Sequence, residues 1–458
     1  MAKASSATRP TAAVILAAGQ GTRMKSTLPK VLHEVAGRSM VGHVLSTLAQ
    51  VKVDKVAVVI GPEMEKVAAA VAPHKTVVQK DRLGTGHAVL QASPILKSFK
   101  GDVLIVYGDT PFVSAATYAR MRAARAKQDA ALVVLGFQPE DPGAYGRLIV
   151  GRDGLERIVE FKDASATERA VRLCNSGIML VDGALLWKLL PKINNNNAKG
   201  EYYLTDLVGL VRAQKLRCAV VDGTVEELMG VNSRAELAIA EAIVQNQLRA
   251  AAMEQGATLR DPATTYFSMD TRLGKDVDVG PFTVFGPGVT VDDGAVIKGF
   301  CHFEGAHISG GAIVGPYARL RPGAKIGSDA HVGNFVEVKN ATLEKGAKAN
   351  HLTYVGDARV GAGANIGAGT ITANYDGFNK SHTDIGAGVS IGSNSVLVAP
   401  VKLGDGAMTG AGAVVRHDVP ADALATNSSD QKTVPGFAAK YRARKKAQKE
   451  AAVKKRKK

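Results

Sequence analysis

The sequence predicts two architectures in tandem: an α/β domain with a Rossmann-like, mostly parallel sheet, followed by a parallel β-helix. Three observations predict this. Short aliphatic runs alternate with helix-compatible stretches through the first half. An apolar period of six residues takes over near Leu273 and continues almost to the end. Between the two regimes lies one helical segment with its own start and stop signals. The expected division is a flexible N-terminal extension (1–11), the α/β domain (12–232), a linker helix (233–256), the β-helix (257–425) and a basic tail (426–458).

In the first half, Ala13–Leu16, Val56–Ile60, Val103–Val106 and Ala131–Leu135 are brief and rich in aliphatic residues. Met40–Val51 and Tyr118–Lys127 between them suit helices. In such α/β sheets ligands sit beyond the carboxyl ends of the strands, so those ends are where chemistry is sought. Ser233-Arg-Ala-Glu236 reads as a capping box, with Ser233 as N-cap and Glu236 reaching back to it. The Ala-, Leu- and Gln-rich stretch that follows stops at Gly256.

Leu273, Val279, Phe285, Val291, Ile297 and Phe303 are spaced by six; after a step of five the series resumes at Ile308, Val314, Leu320, Ile326, Val332 and Val338. Later members are Val355, Val360, Ile366, Ile385, Ile391, Leu397 and Leu403. Six is neither the helix nor the plain strand period. It fits a coil in which three hexads close a triangle, each giving one inward aliphatic side chain and one corner, for about eight coils in all. Ala373 to Asp384 has no hexad phase and reads as a loop leaving the coil.

The bulk numbers exclude several classes. A hydrophobic share of 46% and a charged share of 22% describe a chain that can bury cores rather than a disordered one. The net charge of +16 suggests a nucleic-acid partner until it is located: Lys440 to Lys458 hold eleven Lys or Arg and one acid, Glu450, so about +10 belongs to the tail. A terminal run of that kind reads as a solvated, disordered appendage. No stable nucleic-acid or membrane partner is expected, since no zinc-finger or aromatic RNA-binding pattern occurs and no run approaches ~18 apolar residues. Cys174, Cys218 and Cys301 are odd in number and far apart, which reads as reduced, mostly buried thiols in a cytoplasmic protein.

Leu16-Ala-Ala-Gly-Gln-Gly-Thr-Arg-Met24 directly follows the first strand, and its turn amides can hold an anion. On its own, Gly19-Gln-Gly21 serves equally well for close packing at a strand–helix turn. Arg23 and Leu28-Pro29-Lys30 add the cations that suit a triphosphate whose pyrophosphate must leave. Asp109 lies just beyond an apolar strand, where a carboxylate can hold a hard cation, or simply cap a turn.

These motifs resemble those of the sugar-nucleotide pyrophosphorylases. Gln79, Leu83-Gly-Thr-Gly-His-Ala88, Tyr107-Gly-Asp-Thr-Pro111, Tyr145-Gly-Arg147, Ile158–Asp163, Asn175-Ser-Gly177, Glu201-Tyr-Tyr203 and Gly230-Val-Asn232 follow in the order of one branch. That branch is the bacterial bifunctional N-acetylglucosamine-1-phosphate uridyltransferase/glucosamine-1-phosphate acetyltransferase family. The resemblance implies that Leu16, Ala17, Ala18, Gly19, Gln79, Gly84 and Thr85 surround the uridine nucleotide of UTP, with Tyr107 and Gly108 in the same substrate set. It implies Gly146, Glu160 and Asn175 at the sugar, Lys30 and Arg23 at the phosphates, and Asp109 with Asn232 on Mg2+.

The second half carries His351-Leu-Thr-Tyr354, which breaks the aliphatic-glycine monotony with a side chain suited to accept a proton near neutral pH. A lone histidine is more often structural. Its surroundings, Arg321-Pro322, Phe335-Val-Glu-Val-Lys339, Asn365 and the insertion Asn374-Tyr-Asp-Gly377, resemble the acetyltransferase half of the same family. By that resemblance His351 is the general base, while Arg321, Lys339, Tyr354 and Asn365 bind glucosamine 1-phosphate. Ala368, Asn374, Tyr375, Ser393 and Ala411 line the acetyl-CoA site. The family also implies a left-handed coil and a homotrimer with acyl sites between subunits.

The resemblance runs from about Ala12 to Leu424. The long N-terminus and the Lys-rich tail depart from it, and so does Thr426-Asn-Ser-Ser429, where an arginine near the CoA phosphates is expected and Lys432 is a substitute. The alternative reading is a single-activity sugar-1-phosphate nucleotidylyltransferase with a structural β-helix.

Overall fold

The computed structural model describes residues 9–427 and 433–456, with side chains to 448 in the last segment. Ser428, Ser429 and Lys432, and the first eight residues of the N-terminal extension, lie outside it. The described chain forms two compact units, one of Met1–Thr271 with Val284–Gly288, the other of Arg272–Thr283 with Val289–Lys458.

The sheet of the first unit runs, from one edge, Cys218–Asp222, Leu132–Phe137, Cys174–Asp182, Asp102–Tyr107, Thr11–Ala17, Lys55–Ile60 and Lys75–Val78. All neighbours are parallel except Cys174–Asp182, which runs antiparallel to both of its own. The first strand is buried along its whole length. Ala12, Val14 and Leu16 face one core while Ala13, Ile15 and Ala17 face the other, as a sheet covered by helices on both sides requires. Thr11 already belongs to the strand, in register with Asp102, and its N–H donates to the Asp54 carboxylate at 2.7 Å. Arg9 lies against Asp182 at 2.8 Å and Asp102 at 3.4 Å, sharing both with Arg125.

The helix Arg234–Glu254 has Ser233 as N-cap, its hydroxyl accepting from Glu236 N–H. The reciprocal half of the box differs from expectation: the Glu236 carboxylate reaches one residue further back, to the N–H of Asn232 at 2.6 Å. That bond fixes the backbone of a candidate site residue. This helix and the stretch after it up to Thr271 belong to one unit, joined by Gln245, which donates to Phe267 O at 2.7 Å and accepts from its N–H at 2.9 Å.

The second unit is a coil of two- to four-residue strands in three parallel sheets. Successive coils stack in register: Val279 on Ile297, Ile297 on Val314 and Val314 on Val332 along one sheet, Phe303 on Leu320 and Leu320 on Val338 along the next. Every inward hexad position named above is buried except Leu273, at the first turn of this unit. The non-hexad stretch leaves between the strands Ile371–Ala373 and Thr383–Ile385. The basic tail corrects the expectation of disorder. Phe437–Arg456 is a helix, consistent with its content of Ala, Lys, Arg and Gln, all strong helix formers.

Ile326 is fully buried in the coil interior and stacks between Ile308 and Leu343. Ile326→Ala is expected to remove about 2–5 kcal/mol of β-helix stability. The check is the shift of the urea unfolding midpoint, with an unchanged midpoint contradicting the packing.

Candidate active sites

The first site is a cavity of about 240 Å³ at the carboxyl end of the central strand. Leu16, Ala17, Ala18, Gly19, Lys30, Gln79, Gly84, Thr85, Tyr107 and Asp109 all line it. Gly108 N–H donates to Leu16 O at 3.0 Å, tying the two strand ends together. Gly84 has φ +111, and a Cβ there would lie 2.6 Å from the Tyr202 carbonyl, so neither the turn nor the close approach admits a side chain. Gln79 is buried, its amide donating to Gly84 O at 3.2 Å.

Lys30 is the centre of charge. Its ammonium pairs with the Asp109 carboxylate and donates to Asn232 Oδ1 at 2.9 Å. Two hard oxygen donors from distant parts of the chain thus converge on one cation. That donor set fits a divalent metal of the magnesium type, which takes few protein ligands and keeps the rest of its shell for water and phosphate.

Gly146, Glu160 and Asn175 also meet. Asn175 N–H donates to Gly146 O at 2.9 Å, and a Cβ on Gly146 would lie 3.5 Å from Glu160 Oε1. Burial pushes the Glu160 carboxyl above its ordinary value, with nearby Lys199 and the Thr205 hydroxyl partly opposing. Tyr107 is likewise pushed up, by burial first and then by Asp109 and Glu160, so it remains a neutral phenol. Arg23 stands apart, exposed on the short turn Thr22–Met24 and absent from the cavity lining. Arg82 and Glu201 line the cavity without having been singled out, and Arg82 donates to Ala18 O at 3.0 Å. The signal was available for Glu201 in its motif; for Arg82 it was only adjacency to Leu83-Gly-Thr-Gly.

The second site lies on the coil. His351 and Asn334 are register partners in successive coils, and His351 Nδ1 meets Asn334 Oδ1 at 3.0 Å. An amide oxygen can only accept, so Nδ1 is the donor, which in the neutral ring makes Nε2 the nitrogen able to take a proton. Backbone bonds then run from Gly369 N to His351 O, Asn394 N to Ala368 O and Gly412 N to Ser393 O. His351, Ala368, Ser393 and Ala411 therefore form one column along one corner of the coil. Asn365 sits on the same sheet as His351, its strand pairing with Lys348–His351 and Asn365 in register with Lys348.

Arg321, Lys339 and Tyr354 belong to the next face, on three successive coils. Glu337 is the register partner of Tyr354 and Lys339 of Gly356. Arg321 pairs with Glu337 at 2.8 Å. Lys380, from the inserted loop, lies beside Lys339, and its hydrogen bond and like charge hold the Lys339 ammonium below the usual lysine value. Three cations at one edge of this face make an anion site, of which Lys380 was not anticipated; its loop has no hexad phase to place it. Asn374 is buried and bonds to Asp357, while Tyr375 is exposed with its hydroxyl donating to Gly377 O at 2.6 Å.

Residues 13–176 match the family model of the MobA-like NTP transferase domain, and residues 382–417 match that of the bacterial transferase hexapeptide (six repeats). The bifunctional protein GlmU of Paramagnetospirillum magneticum is 60% identical over 439 residues, 96% of this chain and 98% of its own. That of Rhodospirillum rubrum is 62% identical over 434 residues, covering 94% of this chain and 97% of its own. The Paracoccus denitrificans protein of the same name is 54% identical, covering 94% and 96%.

Asp357 anchors the inserted loop. Burial would raise its pKa, but hydrogen bonds from Asn340 and Asn374 and the charges of Lys380 and Lys339 outweigh that and hold it below 3.8. A lowered carboxyl contributes stability above its unfolded pKa and loses it only as pH falls through the folded one. Hydrogen exchange of 374–381 is therefore expected to stay slow at pH 5 and to quicken only below about pH 4. In Asp357→Asn it should be fast at both pH values, and slow exchange there would contradict the anchor.

Proposed function

We infer the function from one premise: the chain belongs to the family of bifunctional GlmU proteins. It is a bifunctional enzyme with uridylyltransferase and glucosamine-1-phosphate acetyltransferase activity, carried by an NTP transferase domain and a hexapeptide-repeat domain. The route we propose acetylates glucosamine 1-phosphate from acetyl-CoA, then couples the N-acetylglucosamine 1-phosphate to UTP. The products are UDP-N-acetylglucosamine and pyrophosphate. Residues 12–232 carry uridylyl transfer and 257–425 acetyl transfer, with 233–256 between them.

In the first site a phosphate oxygen of the sugar phosphate attacks the α-phosphorus of UTP in line, and the bond to the β-phosphate oxygen breaks as pyrophosphate departs. No protein nucleophile is needed. Leu16 to Gly19, Gln79, Gly84 and Thr85 hold the nucleotide, with Tyr107 and Gly108 at the strand end. Gly146, Glu160 and Asn175 hold the sugar. Lys30 stabilises phosphate charge, while Arg23, exposed outside the cavity lining, is not part of this set. Asp109 and Asn232 would hold the divalent ion, read here as Mg2+, which when bound neutralises charge between the phosphates.

In the second site Arg321 and Lys339 grip the phosphate of glucosamine 1-phosphate, joined by Lys380, while Tyr354 and Asn365 bind the sugar. Nε2 of His351 takes a proton from the attacking amine as it adds to the thioester carbonyl, and the C–S bond breaks to release CoA. Asn334 positions the ring. Ala368, Asn374, Tyr375, Ser393 and Ala411 line the acetyl-CoA site. The observation that carries the two-enzyme reading over a structural β-helix is this oriented histidine on the corner column. The assembly is read as a homotrimer. Three free, buried thiols support a reducing, cytoplasmic setting.

Asp109→Ala is expected to abolish pyrophosphate release from UTP while CoA release continues. His351→Ala should lower CoA release about 10²- to 10⁴-fold with UTP-dependent activity intact. Loss of both activities in either folded variant would overturn the assignment of separate sites.

A further inference from the structure

Arg82 stands on the wall of the first cavity with a charge that the phosphate chemistry above does not use. Its Nε donates to Ala18 O at 3.0 Å, tying the loop after Lys75–Val78 to the turn after the first strand. Gly61, just beyond Lys55–Ile60, makes room for it. A Cβ on Gly61 would lie 2.8 Å from Arg82 Nη2 and 3.2 Å from Ala18 O. The backbone at Gly61 is not left-handed, so the missing side chain serves this close approach rather than a turn. A guanidinium carries five N–H groups, and the bond to Ala18 occupies one. Among the described residues no acceptor meets its Nη groups, which leaves them to whatever enters the cavity.

The strand order says which end of a nucleotide they meet. From Asp109 toward Arg82 the sheet runs Asp102–Tyr107, Thr11–Ala17, Lys55–Ile60 and Lys75–Val78. Asp109 follows the first of these strands, and Lys30 and Asn232 gather on it. Gly61 follows the third, two strand spacings or about 10 Å away, and Gln79 follows the fourth. The phosphate and metal donors thus hold one end of the cavity, and Arg82 and Gln79 stand toward the other, where the base belongs. Gln79 Nε2 donates to Gly84 O at 3.2 Å and meets His87 Nδ1 at 3.2 Å, which leaves its Oε1 as the acceptor for the cavity. Uracil presents carbonyl oxygens flanking a ring N–H. Cytosine replaces one carbonyl with an amine and that N–H with an unprotonated nitrogen. A donor-only guanidinium and an amide acceptor on one wall match the first pattern and oppose the second.

We propose that Arg82 reads the carbonyl edge of the base and sets the preference of the first site for uracil over cytosine. This rests on the reading of that cavity as the site of uridylyl transfer. A mere tether of the loop, or a further cation for the phosphates, would act on UTP and CTP alike, because the two share ribose and triphosphate. Only contact with the base separates them.

The test compares kcat/KM for UTP and CTP in the full chain, with N-acetylglucosamine 1-phosphate and Mg2+, by release of pyrophosphate. The native chain should favour UTP. Arg82→Met keeps the length of the side chain and removes every N–H. Its kcat/KM for UTP should fall at least tenfold, carried in KM, as the loss of a hydrogen bond from a charged donor implies. The ratio of UTP to CTP should fall at least tenfold with it. Arg82→Lys keeps the charge and can keep the bond to Ala18 but lacks the fork, so it should lose preference too, and its ratio decides if Arg82→Met is inactive. A native chain indifferent to the base, or variants in which both nucleotides decline together at an unchanged ratio, overturns the role of Arg82 and leaves uridylyl transfer standing. A native chain that releases pyrophosphate from neither nucleotide overturns the reading of the cavity itself.

Discussion

Each coil of the β-helix must return its backbone onto the strand laid down 17 or 18 residues earlier, because the hydrogen bonds of a parallel sheet have no other partner. This requirement fixes the apolar period and demands left-handed residues at the corners. It also aligns side chains far apart in sequence into straight columns. Asn334 reaches His351, and His351 leads to Ala368, Ser393 and Ala411, through that register alone. Chemistry on the coil is therefore a matter of which residue stands at which corner of which turn. The inserted loop is a local escape from the rule, and it brings Lys380 to an edge where Arg321 and Lys339 already stand.

The first unit solves its positioning problem differently. Its parallel strands end together, and the loops beyond them supply Leu16 to Gly19, Tyr107 to Asp109 and, from 202 residues further along the chain than Lys30, Asn232. Glu236 holds the Asn232 backbone from the helix that follows, so the end of the domain and the start of the helix share one hydrogen bond. The convergence of Asp109 and Asn232 on the Lys30 ammonium is the electrostatic heart of this site. An anionic nucleotide bound there would exchange an internal ion pair for contacts with phosphate.

Much of this was legible in the sequence, for identifiable reasons. The hexad period is a direct print of the coil, so its inward residues could be named one by one; Leu273 fails only because it sits at a terminus. The nucleotide-site residues lie in contiguous motifs at strand ends, where short-range pattern and position agree. What the sequence does not display is carried by long-range register or by aperiodic loops. Asn334 is recognisable as a partner of His351 only after the coil length is known, and Lys380 belongs to a segment with no phase. The capping box is a local four-residue pattern, and Glu236 bonds the neighbouring N–H of Asn232 instead. The tail's charge suggests disorder, while its Ala, Lys and Arg content favours a helix equally well.

The central claim is that one chain holds two independent active sites whose products connect. The most direct measurement incubates the protein with glucosamine 1-phosphate, acetyl-CoA, UTP and Mg2+, omits each in turn, and follows CoA and pyrophosphate together. CoA should appear without UTP or Mg2+, and pyrophosphate should require all four. Replacing glucosamine 1-phosphate with N-acetylglucosamine 1-phosphate should free pyrophosphate release from acetyl-CoA. Pyrophosphate without any CoA release under every condition would contradict the account and reduce the β-helix to a structural element.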